Sequence, residues 1–358
     1  MNILDFGAKR GEFCGDAIQR AIDAAAAQGG GCVVVPAGEY ETASLVLRSN
    51  VELHLEAGAV LRFTDDFDAY PIVNIRWEGY EQPCRRPLIY AKNEVNVALT
   101  GFGTLEGQGQ KWWTAFRAKT LDAARPCAVC FEDCTRVRMS DFMVHNSPNW
   151  TIHPVRCENV TIDNLTIVNP FDSPNTDGID PESCRNVRIT GCHIDVGDDC
   201  IAVKAGTEDA LEDVPCENIA ITGCTMVHGH GGVVLGSEMS GGIRRVSITG
   251  CVFDGTDRGI RIKSRRGRGG AVEDVSVTGI VMNDVLCPLV VNLMYFCGKD
   301  GKLPIVSDPN AQPVTEATPH VRRIRMADIV VTNAKSAAAC LYGLPEAPLE
   351  DISIVNTQ

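Results

Sequence analysis

The sequence lacks any long hydrophobic run. Its longest apolar stretches, such as residues 24–27 and 32–36, are far shorter than the roughly 18 residues that a membrane-spanning helix needs. The opening residues, MNILDFG, contain no apolar segment typical of a signal peptide. We therefore expect no membrane partner. We also expect a cytoplasmic protein as the sequence stands, or a secreted or periplasmic one if a leader was removed.

Cations are also scarce. The chain has 33 Lys and Arg against 46 Asp and Glu, a net charge of −13. Because such a surface repels nucleic acid and anionic lipid, we expect neither as a partner. An acidic ligand would need a local basic site, and residues 261–268 offer one with five cations: Arg261, Lys263, Arg265, Arg266 and Arg268. For the last three, a solvated loop is the alternative interpretation.

Cysteine, by contrast, is abundant, with 16 residues. Cys127, Cys130 and Cys134 are closely spaced, but no second ligand pair follows at the spacing of a zinc site. Free cysteine is among the most buried residue types and packs as a small hydrophobic side chain. The sequence therefore predicts that most of these thiols lie in the core, and it predicts no metal.

A short pattern of alternating apolar residues recurs along the chain. Its strong copies open at Val137, Val160, Val187, Ile219, Val246 and Val275, and weaker copies open at Val95, Ile324 and Ile352. The steps between the strong copies are 23, 27, 32, 27 and 29 residues. Alternation with a period of two, followed by a turn residue and renewed alternation, indicates two short strands in each copy.

Repeats of this size bury their inward faces only by stacking on neighbouring copies. A propeller blade needs about 40 residues, and a leucine-rich repeat shows a leucine and asparagine ladder that is absent here. The sequence therefore predicts an all-β fold, a single parallel β-helix over residues 1–358. Cys192, Cys224 and Cys251 share one repeat position and should form an inward-facing file.

The two ends of the chain differ. Residues 16–28 predict a helix, with an acid at the start and three glycines after the end. We expect residues 1–35 to form an N-terminal cap and the first coil. The sequence stops inside a repeat, at residues 352–358, so either another contact completes the final coil or the chain is shortened.

Four segments on consecutive repeats carry polar residues that a structural repeat does not require: residues 175–180, 197–204, 229–232 and 258–263. Stacked strands lie about 4.8 Å apart, so these groups should converge. Crowding of Asp177, Asp198 and Asp199 would raise the pKa of one carboxyl, while the others stay ionised as bases. Acid/base hydrolysis of a glycosidic bond needs this arrangement. Turn capping or a structural cation is the alternative for Asp198 and Asp199 alone.

These segments resemble the signature of the family 28 glycoside hydrolases, the polygalacturonases. The matching motifs are Asn-Thr-Asp at 175–177, Gly-Asp-Asp at 197–199, Gly-His-Gly at 229–231 and Arg-Ile-Lys at 261–263. The resemblance extends through residues 4–8, 76–79, 101–109 and 147–154, and so covers nearly the whole chain. It implies a right-handed parallel β-helix and inverting hydrolysis of α-1,4-linked galacturonic acid in pectin, with no cofactor.

The resemblance also implies roles for the polar residues. Asp198 would be the general acid, and Asp177 with Asp199 would activate the attacking water. His230 would tune the acid. For inversion we expect the carboxyl groups of Asp177 and Asp199 to lie roughly 6.5–9.5 Å from that of Asp198, which leaves room for water.

The remaining site residues would bind the substrate. Arg261 and Lys263 lie two residues apart, so they share a strand face and can hold a sugar carboxylate together. By resemblance, Asn175 would lie in the cleft and Tyr295 against the sugar. Within the resemblance, Lys204 and the motif at 76–79 favour a bacterial exo-type or oligosaccharide-cleaving enzyme.

Three alternatives stay open. A pectate lyase would need calcium and would give an unsaturated product. A rhamnogalacturonan hydrolase would cut a related backbone, although His230, Arg261 and Lys263 favour galacturonic acid on both sides of the cut. A non-enzymatic β-solenoid would bind glycans without needing three clustered acids. The sequence does not indicate whether the protein forms oligomers.

Overall fold

The computed structural model describes all 358 residues. The chain forms the two helices α1 (Gly15–Ala27) and α2 (Gln110–Ala118), and short 3-10 helices at Ile3–Phe6, Phe67–Ala69 and Pro304–Ser307. Neither α-helix is long and apolar enough to cross a membrane. The predicted N-terminal helix is therefore present, one residue earlier at each end than the sequence pattern indicated.

Strands occupy most of the remaining chain. The first ten are β1 (Gly31–Val35), β2 (Gly38–Thr42), β3 (Leu45–Val46), β4 (Val51–Leu55), β5 (Ala59–Phe63), β6 (Ile72–Trp77), β7 (Tyr80–Arg85), β8 (Ile89–Lys92), β9 (Val95–Gly101) and β10 (Thr104–Glu106). The next ten are β11 (Val129–Glu132), β12 (Thr135–Ser140), β13 (Met143–His145), β14 (Ile152–Val155), β15 (Glu158–Asp163), β16 (Thr166–Val168), β17 (Arg185–Thr190), β18 (His193–Val196), β19 (Asp199–Val203) and β20 (Cys216–Thr222). The last ten are β21 (Thr225–His228), β22 (Gly231–Gly236), β23 (Ile243–Thr249), β24 (Val252–Asp254), β25 (Arg258–Lys263), β26 (Ala271–Asn283), β27 (Cys287–Asn292), β28 (His320–Thr332), β29 (Ala339–Tyr342) and β30 (Glu350–Thr357).

Successive coils stack these strands into three parallel sheets. Sheet 1 contains β1, β4, β9, β12, β15, β17, β20, β23, β26, β28 and β30, and sheet 2 contains β2, β5, β10, β13, β16, β18, β21 and β24. The long strands β26 and β28 pass through both sheets. Sheet 3 consists of β3, β8, β11 and β14, followed by β19, β22, β25, β27 and β29. This is the predicted right-handed parallel β-helix.

The strand register follows the sequence repeat. Val137 pairs with Val160, and Val160 pairs with Val187. The same column continues through the opening residues of the later copies, Ile219, Val246, Val275, Ile324 and Ile352. The weak copy predicted to open at Val95 is wrong by two residues, because Val137 pairs with Val97. A shift of two residues keeps every side chain on its own face, so alternation alone does not detect it.

One apolar core fills the solenoid. It contains 82 buried residues, from Ile3 to Ala347, and α1 contributes Ala17, Ile18 and Ala21 to it. The file of Cys192, Cys224 and Cys251 is buried as predicted, with exposures of 1%, 1% and 0%. Of the 16 cysteines, 13 are buried and all are free.

The closely spaced cysteines belong to two different clusters. Cys127 and Cys130 pack in a small apolar cluster outside the solenoid, together with Trp77 and Trp150. Cys134 lies in the main core. The three side chains therefore do not face one common site.

Sheet 3 is interrupted in the middle, between β14 and β19. There the coil makes only single bridges to its neighbours, through Ile179 and Glu182. The antiparallel hairpin of β6 and β7 is the one departure from parallel pairing among the named strands. Its Trp77 packs with Trp150 near this interruption, with ring centroids 6.1 Å apart. The fold thus leaves an irregular coil, flanked by a hairpin, on one face of the solenoid.

Candidate active site

Three carboxyl groups meet at the interruption of sheet 3. Asp177 lies in the irregular coil, Asp198 in the turn after β18, and Asp199 is the first residue of β19. Gly178 N donates a hydrogen bond of 2.9 Å to Asp199 O, which sets the two coils side by side. Gly197 is required before this turn, because a Cβ there would lie 2.5 Å from Ser173 O.

The three carboxyl groups are closer together than the predicted 6.5–9.5 Å. One oxygen of each lies within 4.8 Å of one oxygen of the others. The reason is local: Asp198 and Asp199 are consecutive, and Asp177 and Asp199 lie on adjacent coils at the strand spacing of about 4.8 Å. The expectation of a wide separation was therefore wrong.

The three carboxyls differ in burial. Asp177 and Asp199 are 3% and 1% exposed, whereas Asp198 is only partly buried. The two buried carboxyls are therefore more recessed from solvent than that of Asp198.

Their pKa values also differ. Burial, and then the neighbouring charge of Asp198, raises the pKa of Asp177 well above its usual value. Burial and the Asp199 charge raise the pKa of Asp198. Burial alone would raise the pKa of Asp199 as well, but the cations of Lys263 and Arg261 lower it. The site therefore holds one carboxyl that ionises readily, Asp199, beside two that retain a proton to higher pH, Asp177 and Asp198.

Arg261 and Lys263 lie over Asp199 from strand β25. Lys263 Nζ is 2.6 Å from Asp199 Oδ2, and Arg261 Nη1 is 3.7 Å from Asp199 Oδ1. Tyr295 faces both cations, with its ring centroid 5.0 Å from the Arg261 guanidinium carbon and 5.4 Å from Lys263 Nζ. The structure thus brings all three predicted residues to the cleft, but Lys263 is already paired with a carboxylate.

His230 lies beside Asp198 on the next coil, where His230 N donates 3.0 Å to Asp198 O. Its Nδ1 is 2.8 Å from Asp257 Oδ2. Sequence reasoning missed Asp257, although the 27-residue step between the repeats at Ile219 and Val246 places position 257 next to position 230. Asp257 can fix the His230 tautomer, so that Nε2 is free to face the cleft.

Asn175 and Lys204 are both engaged with side chains of the protein. Asn175 has a left-handed backbone with φ of 54°, and its Oδ1 accepts 2.7 Å from Arg125 Nη2. Lys204 is only 3% exposed and lies among the carboxylates of Asp177, Asp180 and Glu238. The ammonium group is therefore enclosed by carboxylates, and substrate binding by Lys204 stays a prediction. Sequence reasoning did not identify Asp180 or Glu238 as part of this site.

The other cations of the basic segment do not form a solvated loop, because each is paired with a carboxylate. Arg265, Arg266 and Arg268 are 2%, 6% and 5% exposed. Arg265 and Arg268 both bind Glu208, and Arg266 binds Glu346 through two hydrogen bonds of 2.6 and 2.9 Å. These arginines fasten surface loops to the solenoid.

Two cavities meet over the carboxyl groups. A pocket of about 520 Å³ contains Asp177 and Lys204, and a smaller one of about 190 Å³ contains His230 and Arg261. Both are lined by Asp198, Lys263 and Tyr295, so these three residues stand at the junction.

Three segments from distant parts of the chain form a wall of the larger pocket. Their residues in the lining include Glu78, Tyr80, Thr207, Asp209 and Lys299. Thr207 N donates 3.0 Å to Gly79 O at the tip of the β6–β7 hairpin. Lys299 Nζ donates 2.8 Å to Asp209 Oδ1. Gly79 has φ of +86°, and a Cβ there would lie 2.4 Å from Thr207 Cγ2, so this contact needs glycine. These contacts hold the three segments together as one wall of the pocket.

Comparison with known proteins bears on this geometry. The chain is 36% identical over 338 residues to a probable polygalacturonase of Vitis vinifera, covering 92% of this chain and 67% of that protein. It spans 41% of the length of a probable polygalacturonase from Arabidopsis thaliana.

Solved structures share the fold. An exopolygalacturonase from Thermotoga maritima superposes with a TM-score of 0.88 at 33% identity, covering 100% of this chain and 86% of that one. A family 28 exopolygalacturonase from Yersinia enterocolitica gives a TM-score of 0.80 at 21% identity, covering 100% and 75%, and shows the fold alone. The sequence model of glycosyl hydrolases family 28 matches residues 33–340. The chain therefore belongs to the glycosyl hydrolases of family 28.

Proposed function

We propose that the protein hydrolyses α-1,4-galacturonosyl linkages in polygalacturonate or oligogalacturonides and removes sugar units from one chain end. The observation that carries this proposal is the position of Asp198. It stands where two pockets meet, with two more deeply buried carboxyls and two cations close by. Family membership and the similarity to exopolygalacturonases support the same activity.

Asp198 acts as the general acid in this proposal. Its raised pKa lets it keep a proton that it delivers to the glycosidic oxygen, which leaves with the electron pair of the broken C1–O bond. A water oxygen forms the new bond to C1, and its proton passes to Asp177 or Asp199, which later releases it to solvent. Solvent then returns a proton to Asp198.

The short carboxyl separation by itself would suit a retaining enzyme, whose nucleophile lies about 5–5.5 Å from its acid. However, a nucleophilic carboxylate must reach the sugar carbon directly. Asp177 and Asp199 are almost fully buried, and Asp199 is bound by Lys263 at 2.6 Å. A recessed carboxylate reaches C1 through a water molecule, so we propose inversion.

The substrate carboxylate would bind at Arg261 and Lys263. Arg261 keeps free donor capacity, because its contact with Asp199 is 3.7 Å and its side chain is 14% exposed. Tyr295 covers both cations from the cleft side and offers a flat face to a sugar ring. This arrangement favours galacturonic acid over a neutral sugar at the site.

The wall of the larger pocket supports exo action. The β6–β7 hairpin tip and the loops around 207–209 and 295–299 line this pocket, which has the size of a small-molecule site. In this proposal, the wall stops a long polymer from continuing past the site.

Chromatography of early products from polygalacturonate tests the proposal. Release of a single short product from the first minutes is expected. A ladder of oligomers would mean endo action, and a product absorbing in the ultraviolet would mean a lyase. Cleavage of rhamnogalacturonan alone would mean a rhamnogalacturonan hydrolase, and binding without cleavage would mean a glycan-binding solenoid.

A further inference from the structure

The ammonium group of Lys204 is enclosed beneath the cleft. Its Nζ lies 3.4 Å from Glu238 Oε2, 3.5 Å from Asp180 Oδ1 and 3.7 Å from Asp177 Oδ2. The fourth side is the ring of Trp150, whose centroid is 4.4 Å from Nζ. One cation is therefore shared by three carboxylates over an aromatic face.

The enclosure is rigidly built. Trp150 stacks edge-on against the buried His153, with ring centroids 4.8 Å apart, and packs against Trp77 of the hairpin. Ala205 N donates 2.8 Å to Glu238 O, which ties the two loops that carry Lys204 and Glu238. Lys204 therefore has little freedom to swing toward a ligand.

The charges divide into two groups. Lys263 and Arg261 form ion pairs with Asp199, whereas Lys204 is the cation that most strongly opposes the rise in the pKa of Asp177. Burial alone would lower the pKa of Lys204, but the surrounding carboxylates, Glu238 first, raise it well above its usual value. The ammonium therefore stays charged over the working range of an enzyme.

We propose that Lys204 is a positioning residue that stabilises the anionic form of Asp177 and holds this side chain in place as a base of the hydrolytic reaction, rather than a ligand for substrate. This inference rests on the proposed function.

Other charged groups near this site are Asp198, Asp199, Asp180, Glu238, Glu78, Arg125, Lys263, Arg268 and His230, with the thiols of Cys127 and Cys200. Of the cations in this set, Lys204 is the one within 4.0 Å of Asp177.

Two substitutions that change the charge beside Asp177 in opposite directions test the proposal. A base must be ionised to act, so its pKa sets the acidic limb of the plot of kcat against pH. Lys204→Met removes the opposing cation, so the acidic limb should move up by at least about one pH unit. Glu238→Gln removes a competing carboxylate, so the same limb should move down. KM should stay within about threefold of wild type in both variants.

Lys204→Arg is the matched control, because it keeps the charge. Its acidic limb should stay near that of wild type even if kcat falls. If Lys204→Arg and Lys204→Met behave alike, Lys204 acts through packing and the proposal is wrong. If Lys204→Met raises KM on polygalacturonate but not on methyl-esterified substrate, with no shift of the limb, Lys204 binds the substrate carboxylate and the proposal is also wrong.

Two further measurements test the proposal if Lys204→Met does not fold or if the proposed substrate is wrong. If Lys204→Met does not fold, it can be combined with Glu238→Gln, because removing both members of a buried pair should allow folding. The acidic limb of the double variant should lie at higher pH than that of Glu238→Gln alone. An unchanged limb would overturn the proposal. The ¹³C carboxyl resonance of Asp177, identified by its loss in Asp177→Asn, should titrate at lower pH in Glu238→Gln than in wild type. This readout needs no activity, so it separates failure of this inference from failure of the proposed function.

Discussion

Lys263 Nζ lies 2.6 Å from Asp199 Oδ2, and both side chains are almost fully buried. A cation expected to await the substrate is therefore already bound to a carboxylate of the site. Because Lys263 lowers the pKa of Asp199, it keeps that carboxylate ionised and able to activate water. In the proposed function, substrate recognition and activation of the base share this ammonium group.

Lys263→Ala should therefore reduce kcat as well as raise KM. Loss of the cation raises the pKa of Asp199, so the acidic limb of the kcat profile should move to higher pH, and kcat at neutral pH should fall roughly tenfold or more. Steady-state kinetics across pH measures both effects. An increase in KM alone, with kcat and its pH profile unchanged, would restrict Lys263 to substrate binding.

Asp198→Asn should lower kcat by about 10²–10⁴-fold or more, because an amide cannot deliver the proton that a general acid supplies. Asparagine has nearly the same shape as aspartate, and position 198 is partly exposed. The unfolding temperature should therefore stay close to that of wild type. Activity within tenfold of wild type would remove Asp198 from its proposed role.

Asp257→Asn tests the support of His230. Loss of the carboxylate that accepts from Nδ1 should leave the imidazole without a fixed tautomer and lower kcat roughly tenfold, less than loss of the acid itself. The chain contains a matched control: His228 Nδ1 is 2.8 Å from Asp195 Oδ1, on strands of sheet 2. Asp195→Asn should leave kcat unchanged. If both substitutions change kcat equally, the effect of Asp257→Asn is not specific to the support of His230.

Glu346 should stabilise the fold in a pH-dependent way. Its paired oxygens and Arg266 are nearly buried, and the hydrogen bonds from Arg266 lower the pKa of Glu346 from 4.5 to about 2. Because the pKa is lower in the folded than in the unfolded protein, this stabilisation is present above pH 4.5 and is lost as the pH falls toward about 2.

Glu346→Gln should therefore cost about 3 kcal/mol of unfolding free energy at pH 7, and less at pH 3. Urea unfolding at the two pH values measures the difference. Asp209→Asn, which breaks the exposed pair with Lys299, is the control and should change stability by less than about 1 kcal/mol. An equal cost of Glu346→Gln at both pH values would contradict the assignment.

The sequence predicted the coil and most of its register, because inward-facing side chains must alternate and each repeat must match its neighbours. It also predicted that Asp177, Asp198 and Asp199 converge, since their segments lie at related repeat positions. The pairs Arg266 with Glu346 and Lys204 with Glu238 were not predictable, because they join loops 80 and 34 residues apart that follow no repeat. The same applies to the wall of the pocket, where the hairpin tip meets Thr207 from 128 residues away.

The central claim is that Asp198 protonates the leaving oxygen while the recessed carboxylates of Asp177 and Asp199 act through water. The most direct test is ¹H NMR of the newly formed reducing end during hydrolysis of trigalacturonate, recorded before mutarotation. Direct attack by water on an α-linkage predicts that the β-anomer appears first. Initial appearance of the α-anomer would require a covalent glycosyl intermediate and would contradict the account.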